Sequence, residues 1–128
     1  MAGIGNRNVT KDLELFSSHL GAGKLGELGV HALGFSWCNM LHMTNWITNG
    51  MPERFPKMKT VWVESGLAWI PFLMQRLDHE VLMRQSEAPG LKRLPSEYMR
   101  EMYYSSQPME RQNLELLEAT FKAMKADT

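Results

Sequence analysis

Glu64 and Arg76 are the two residues whose type and position best suit chemistry. Glu64 ends an apolar run, Val61–Val63, whose β-branched and aromatic residues predict a strand. A carboxylate at the carboxyl end of a parallel strand lies where sheets and barrels place functional groups, and it needs a cation, a donor or a metal there. Arg76 lies about two turns into the next predicted helix and suits bidentate binding of a carboxylate. A solvated glutamate and a surface arginine are the plainer interpretations.

The histidines and the cysteine predict neither a metal site nor a nucleophile. No two of His19, His31, His42 and His79 have the i, i+4 or His-x-His spacing, and a metal site needs three or four convergent ligands. His42 and His79 are interpreted as packed or solvated side chains, whereas His31 could line a pocket. Cys38 lies on a predicted helix, which favours a buried and unreactive thiol.

The composition excludes several classes of protein. The 128 residues predict one domain, and 14 basic residues balance 14 acidic ones, which disfavours a nucleic-acid partner. A single cysteine excludes a disulfide framework and fits the reducing cytoplasm. The longest apolar stretches fall short of the ~20 residues that a membrane span needs, and the first residues have no apolar signal core. We therefore expect a soluble cytoplasmic chain with no membrane partner.

Hydrophobic periodicity predicts a helix-rich α/β order that positions Glu64 and Arg76. We expect residues 1–29 to be a poorly defined N-terminal segment and residues 30–128 to form the domain. The predicted elements are a helix over Thr10–Leu20, a helix from Ser36 to Asn49-Gly50, a strand over Lys59–Glu64, a helix over Trp69–Arg84, a short helix over Ser96–Glu101, a strand over Met102–Ser106 and a last helix opened by Pro108. The first strand is predicted to be apolar on both faces, as buried parallel strands are.

Two predicted strands are too few for a complete parallel sheet. Such a sheet is covered on both faces, and a two-stranded one leaves its edges exposed. The pattern therefore predicts a piece of a larger α/β structure.

Three segments resemble the amidohydrolase-related family, which includes aminocarboxymuconate-semialdehyde decarboxylase and γ-resorcylate decarboxylase. They are the turn NGMPERFPKMK at Asn49–Lys59, the strand VWVESG at Val61–Gly66 and the helix WIPFLMQRLD at Trp69–Asp78. A fourth, KRLPSEY at Lys92–Tyr98, extends the match, so that the resemblance covers roughly Val30 to Glu118.

The resemblance implies a slice of a (β/α)8 barrel. Family members hold a divalent metal, usually zinc, at the carboxyl end of the barrel and hydrolyse or decarboxylate carboxylated, often aromatic-derived substrates. In relatives the strand equivalent to Lys59–Glu64 commonly ends in a histidine near the metal, and Glu64 takes that place here. Arg76 resembles an arginine that binds the substrate carboxylate, in some members across a dimer interface, which implies a homo-oligomer.

The family's main metal-ligand motifs are absent from this sequence. The first-strand histidine motif, the mid-barrel histidine and the last-strand aspartate are missing, and a full barrel takes about 250 residues. We therefore expect a fragment that is inactive alone and binds no metal itself, with Glu64 and Arg76 as its catalytic and substrate-binding residues. Two alternatives stay open: a non-enzymatic helical interaction module, and an enzyme whose other half comes from another chain.

Overall fold

The computed structural model describes Lys11 and residues 27–125. These residues fall into two units, which divide between Cys38 and Asn39. The elements in chain order are α1 (Glu27–Thr48), α2 (Met51–Arg54), β1 (Val61–Trp62), α3 (Trp69–Met83), a 3-10 turn (Gln85–Glu87), α4 (Pro95–Met99), β2 (Tyr103–Tyr104) and α5 (Leu114–Met124). Of the helix predicted over Thr10–Leu20, all but Lys11 lies outside the described residues. None of the helices described combines the length and apolar character needed to cross a membrane.

The strands β1 and β2 form a parallel pair, as predicted. Val61 lies opposite Tyr103, and Trp62 opposite Tyr104. The Tyr103 N–H donates to the Thr60 carbonyl at 3.0 Å, and the Ser105 N–H donates to the Trp62 carbonyl at 2.8 Å. Because α3 and α4 lie between the two strands in the chain, the described residues form a helix-rich α/β arrangement.

The strands are shorter and more exposed than the sequence predicts. The predicted runs Lys59–Glu64 and Met102–Ser106 are each reduced to two residues. Burial on both faces is wrong for β1, because Val61 and Val63 are 63% and 56% exposed. The physical reason is that one face of the pair packs on the core through Trp62, whereas no described element covers the other.

Helix α1 begins earlier than predicted. It starts at Glu27 instead of Ser36 and continues through Gly29. A single glycine costs only about 1 kcal/mol, which the good helix formers around it offset. Met43 and Ile47 are fully buried and Met40 packs against the core, whereas Leu41 is 55% exposed.

Helix α3 agrees with its prediction to within one residue and forms the centre of the core. Its apolar face is buried, and each fully buried side chain of this size contributes about 1.5–3 kcal/mol. The buried apolar cluster consists of Met43, Ile47, Leu67, Trp69, Ile70, Leu73, Met74, Leu77, Tyr98, Met99 and Met124. The core therefore anchors the start of α3, next to the turn that carries Glu64.

Side chains cap the two helices that follow α3. Asp78 accepts a hydrogen bond at 2.8 Å from the Ser96 N–H in the first turn of α4. Helix α5 starts at Leu114 instead of directly after Pro108. The reason is local: the Asn113 side chain accepts from the Leu116 N–H at 2.9 Å and so fixes the first turn there.

Candidate functional site at the carboxyl end of the strand pair

Glu64 lies two residues beyond β1, at the carboxyl end of the strand pair. Its backbone has φ 56°, the left-handed region that non-glycine residues seldom occupy. The side chain is exposed, and no described residue pairs with its carboxylate. The structure therefore presents an unpaired acid at the position where parallel sheets carry functional groups.

The backbone after Glu64 folds around the carboxylate of Glu110, which comes from the loop after β2. Glu110 Oε1 accepts from the Leu67 N–H at 3.1 Å and from the Ala68 N–H at 3.3 Å. These N–H groups lie just ahead of α3, where a negative charge also meets the positive end of the helix dipole. Glu110 thus joins the loop after β2 to the start of the crossover helix.

Gly66 makes this approach possible. Its φ is 68°, and a Cβ built on it would lie 2.3 Å from Glu110 Oε1 and 3.1 Å from the Pro108 carbonyl oxygen. A side chain at this position would therefore displace the carboxylate. Only glycine satisfies both the left-handed backbone and the close approach.

Three more hydrogen bonds hold the turn after β1. The Trp69 indole N–H donates to the Gly66 carbonyl at 3.0 Å. The Gly66 N–H donates to the Gln107 carbonyl at 3.4 Å, and the Asn39 side-chain amide donates to the Val63 carbonyl at 3.1 Å. The backbone on both sides of Glu64 is therefore fixed, whereas its side chain is free to meet a ligand.

Arg76 lies on the solvent side of α3. Its guanidinium is 2.8 Å from Glu80, which also binds Arg84 at 2.8 Å, and the Arg76 side chain is 59% exposed. A cavity of about 570 Å³ next to Arg76 is lined by Thr44, Thr48 and the last turns of α3, and Glu64 is not among its lining residues. The structure does not bring Glu64 and Arg76 together in one described cavity.

The described histidines do not converge on a metal site. His31, His42 and His79 are exposed, and His19 lies outside the described residues. Within residues 27–125 no group of three or more His, Cys, Asp or Glu side chains could hold a metal ion. The described residues therefore do not fit the zinc that the family resemblance implies. Cys38 is half-buried, and burial raises the pKa of its thiol.

A buried tyrosine network lies at the opposite end of the strands, and the sequence did not reveal it. The Tyr98 hydroxyl donates to Glu53 at 2.5 Å and accepts the backbone N–H groups of Lys92 and Arg93, each at 3.0 Å. The hydrogen bond from Tyr98, assisted by Lys92, lowers the pKa of Glu53 against the opposing effect of desolvation. The one signal in the sequence that could have predicted this network is Tyr98, because a tyrosine hydroxyl that is buried requires a hydrogen-bond partner.

No protein-family model matches the chain, and no curated protein matches it. The resemblance to the amidohydrolase-related family therefore rests on the quoted segments between Asn49 and Tyr98.

Proposed function

We propose that this chain supplies part of the active site of an amidohydrolase-like cytoplasmic enzyme that hydrolyses or decarboxylates a carboxylated, aromatic-derived substrate. One observation carries the proposal: Glu64, exposed and unpaired among the described residues, follows a parallel strand in a left-handed conformation. The four quoted sequence segments support the same family, and with it a slice of a (β/α)8 barrel.

The position of Glu64 favours function over a simple solvent contact. A left-handed non-glycine residue costs about 1–2 kcal/mol, and such residues persist where the surroundings fix them, often at active sites. Here the surroundings are Asn39 on one side and the Gly66–Glu110 contact on the other. In parallel α/β proteins, the loops at the carboxyl ends of the strands carry the reacting groups.

Glu64 is assigned an acid-base role and Arg76 a substrate-binding role. A carboxylate without a cation partner can take up a proton from substrate or water and return it. Arg76 and Arg84 share the single carboxylate of Glu80, which leaves guanidinium N–H groups to bind a small carboxylate. Glu87, on the lining of the same cavity, balances the remaining charge. A substrate that contacts both Glu64 and Arg76 must extend beyond the cavity next to Arg76, because Glu64 does not line that cavity.

The divalent metal that the resemblance implies is proposed for the complete enzyme. No described cluster of ligands fits it, so its ligands would come from other residues or from another chain. Glu64 is proposed to act on substrate without ligating that metal.

The experiment compares this chain with the product of the complete reading frame at its locus. DNA on either side of the coding region is expected to encode the missing histidine and aspartate motifs. The complete product is expected to bind zinc and to release carbon dioxide or a hydrolysis product from aromatic carboxylates, whereas residues 1–128 alone are not. If residues 1–128 alone bind zinc tightly and turn over substrate, the proposal that this chain supplies only part of an active site is wrong. If the flanking DNA lacks the histidine and aspartate motifs, the proposed family is wrong.

Within the complete enzyme, Arg76→Ala is expected to raise the Michaelis constant for a carboxylate substrate more than it lowers kcat. Arg111→Ala is the matched control, because Arg111 is also exposed and lies on the loop after β2. Unchanged kinetics in Arg76→Ala would remove Arg76 from the site.

A homo-oligomeric interaction module is the second candidate, and exposed apolar side chains of α1 favour it. Leu33 and Trp37, both in the first unit, are four residues apart and are 55% and 47% exposed. Exposed apolar patches of this kind mark interaction surfaces. If residues 1–128 form a monodisperse, metal-free oligomer that Trp37→Ser dissociates, and the locus encodes no metal motifs, the module replaces the enzyme.

A further inference from the structure

A depression of about 460 Å³ lies at the amino-terminal ends of β1 and β2, away from Glu64. One wall is the segment 55–60, which leads into β1, and the other is the segment 101–103, which leads into β2. We call this depression the amino-end pocket. Because the strands are parallel, the amino-end pocket and the carboxyl-end site are separate places on the same sheet.

The lining of the amino-end pocket is positively charged. Its charged residues are Lys57, Lys59, Arg93 and Glu101. Arg93 binds both carboxylate oxygens of Glu101, one of them at 3.0 Å, and this neutralises the only acid of the lining. Lys57 and Lys59 have no carboxylate partner among the described residues. The pocket therefore carries two uncompensated positive charges, although the chain as a whole is neutral.

Apolar and aromatic surface adjoins these charges. Phe55, Met58 and Tyr103 line the pocket and are 42%, 53% and 51% exposed. The Lys59 ammonium lies 5.5 Å from the centre of the Tyr103 ring. An anion alone would leave this apolar surface in contact with water, whereas an apolar molecule alone would leave both ammonium groups unpaired.

We infer that the amino-end pocket binds a small aryl anion, in which a phosphate or carboxylate group is attached to an aromatic ring. The anionic group pairs with Lys57 and Lys59, and the ring packs against Phe55, Met58 and Tyr103. This site is independent of the proposed function, because it uses none of the residues assigned to chemistry at the carboxyl end.

Phenyl phosphate is the first probe, and benzoate tests whether a carboxylate serves equally well. Inorganic phosphate supplies the anion without the ring, and phenol supplies the ring without the anion. Binding is followed by the fluorescence of Trp46, which lines the pocket, and by amide shifts in NMR spectra of the full chain. Phenyl phosphate or benzoate is expected to saturate and to bind more tightly than phosphate or phenol, with affinity falling as salt rises.

Lys57→Gln and Lys59→Gln remove one charge each from the pocket, and Lys122→Gln is the matched control on α5. Lys122 is an exposed lysine far along the chain that pairs with Glu118. Each pocket variant is expected to weaken binding about threefold or more, the effect of losing one exposed charge pair, while the control leaves it unchanged. Equal weakening by the control, equal affinity for phosphate and phenyl phosphate, or no saturable change would each overturn the inference.

Discussion

Gly66→Ala is expected to destabilise the chain by disrupting the contact that positions the turn after Glu64. Alanine at φ 68° costs about 1–2 kcal/mol because of its Cβ. The same Cβ, 2.3 Å from Glu110 Oε1, forces the carboxylate away from the N–H groups of Leu67 and Ala68. Losing hydrogen bonds to a charged group costs a further 1.5–3 kcal/mol or so, and the expected total is therefore about 2.5–5 kcal/mol.

A double-mutant cycle separates the two contributions. In a Glu110→Ala background the carboxylate is already absent, so Gly66→Ala is expected to cost only the backbone part, about 1–2 kcal/mol. Free energies of unfolding are measured by urea denaturation, followed by far-UV circular dichroism and tryptophan fluorescence. Gly90→Ala is the control, because its Cβ would meet Gly50 at an ordinary 3.6 Å. An equal cost of Gly66→Ala in both backgrounds would refute the proposed coupling of Gly66 to Glu110.

Four further substitutions test other parts of the structure by the same denaturation measurement. Tyr98→Phe is expected to cost about 2–4 kcal/mol, because one charge-assisted and two backbone hydrogen bonds lose their partner; a cost under 1 kcal/mol or so would contradict the network. The Arg93 guanidinium holds the pKa of Glu101 below its usual range, so the pair stabilises the fold at neutral pH and this stabilisation is lost on acidification. Glu101→Gln should therefore make the free energy of unfolding fall less steeply below about pH 5. A pH dependence identical to that of the wild type would count against the pair. Burial raises the pKa of Tyr104, so its contribution to the stability of the fold is present below the pH range in which tyrosine ordinarily ionises and is lost as the pH rises. Tyr104→Phe should therefore lessen the loss of stability at alkaline pH. An unchanged dependence of stability on alkaline pH would show that the Tyr104 hydroxyl is solvated. Gly34→Ala in α1 should stabilise by about 0.5–1 kcal/mol, since Val30, at 4.0 Å, is the only described residue that its Cβ meets; a loss of stability would mean that the helix is crowded there.

The elements with strong local signals could be predicted from the sequence. Helix α3 has Ile70, Leu73, Met74 and Leu77 at helical spacing, and these residues are buried. The parallel pairing of β1 and β2 followed from the alternation of strands and helices. For α1 the local pattern predicted a helix but placed its start at Ser36 instead of Glu27, because Gly29 and Gly34 weaken the local helix signal in its first turns.

The contact between Glu110 and the turn after β1 could not be predicted from local sequence patterns. Glu110 and Leu67 are 43 positions apart, and their hydrogen bond depends on two loops meeting at the end of the strand pair. In the sequence, Glu110 looks like one of several acidic residues that begin the last predicted helix. The close approach of Gly66 to Glu110 has no local signal either, because it depends on the same two loops.

The exposure of Glu64 agrees with the plainer interpretation of the sequence as well as with a functional one. Its left-handed backbone at φ 56° supports the proposed functional role, because residues in this conformation cluster at active sites. Arg76 has no comparable feature. Its ion pair with Glu80 at i, i+4 is common on exposed helices and contributes little to stability by itself.

The kinetics of Glu64→Gln in the proposed complete enzyme, loaded with zinc, test the central claim most directly. The substrate is the aromatic carboxylate that this enzyme turns over, and Glu115→Gln on α5 is the matched control, since Glu115 is also an exposed glutamate. If Glu64 transfers a proton, kcat/KM falls about 10² to 10⁴-fold while the control stays at the wild-type value and both variants unfold at the same denaturant concentration. Wild-type turnover by Glu64→Gln would show that the carboxyl end of the strand pair carries no chemistry through this residue.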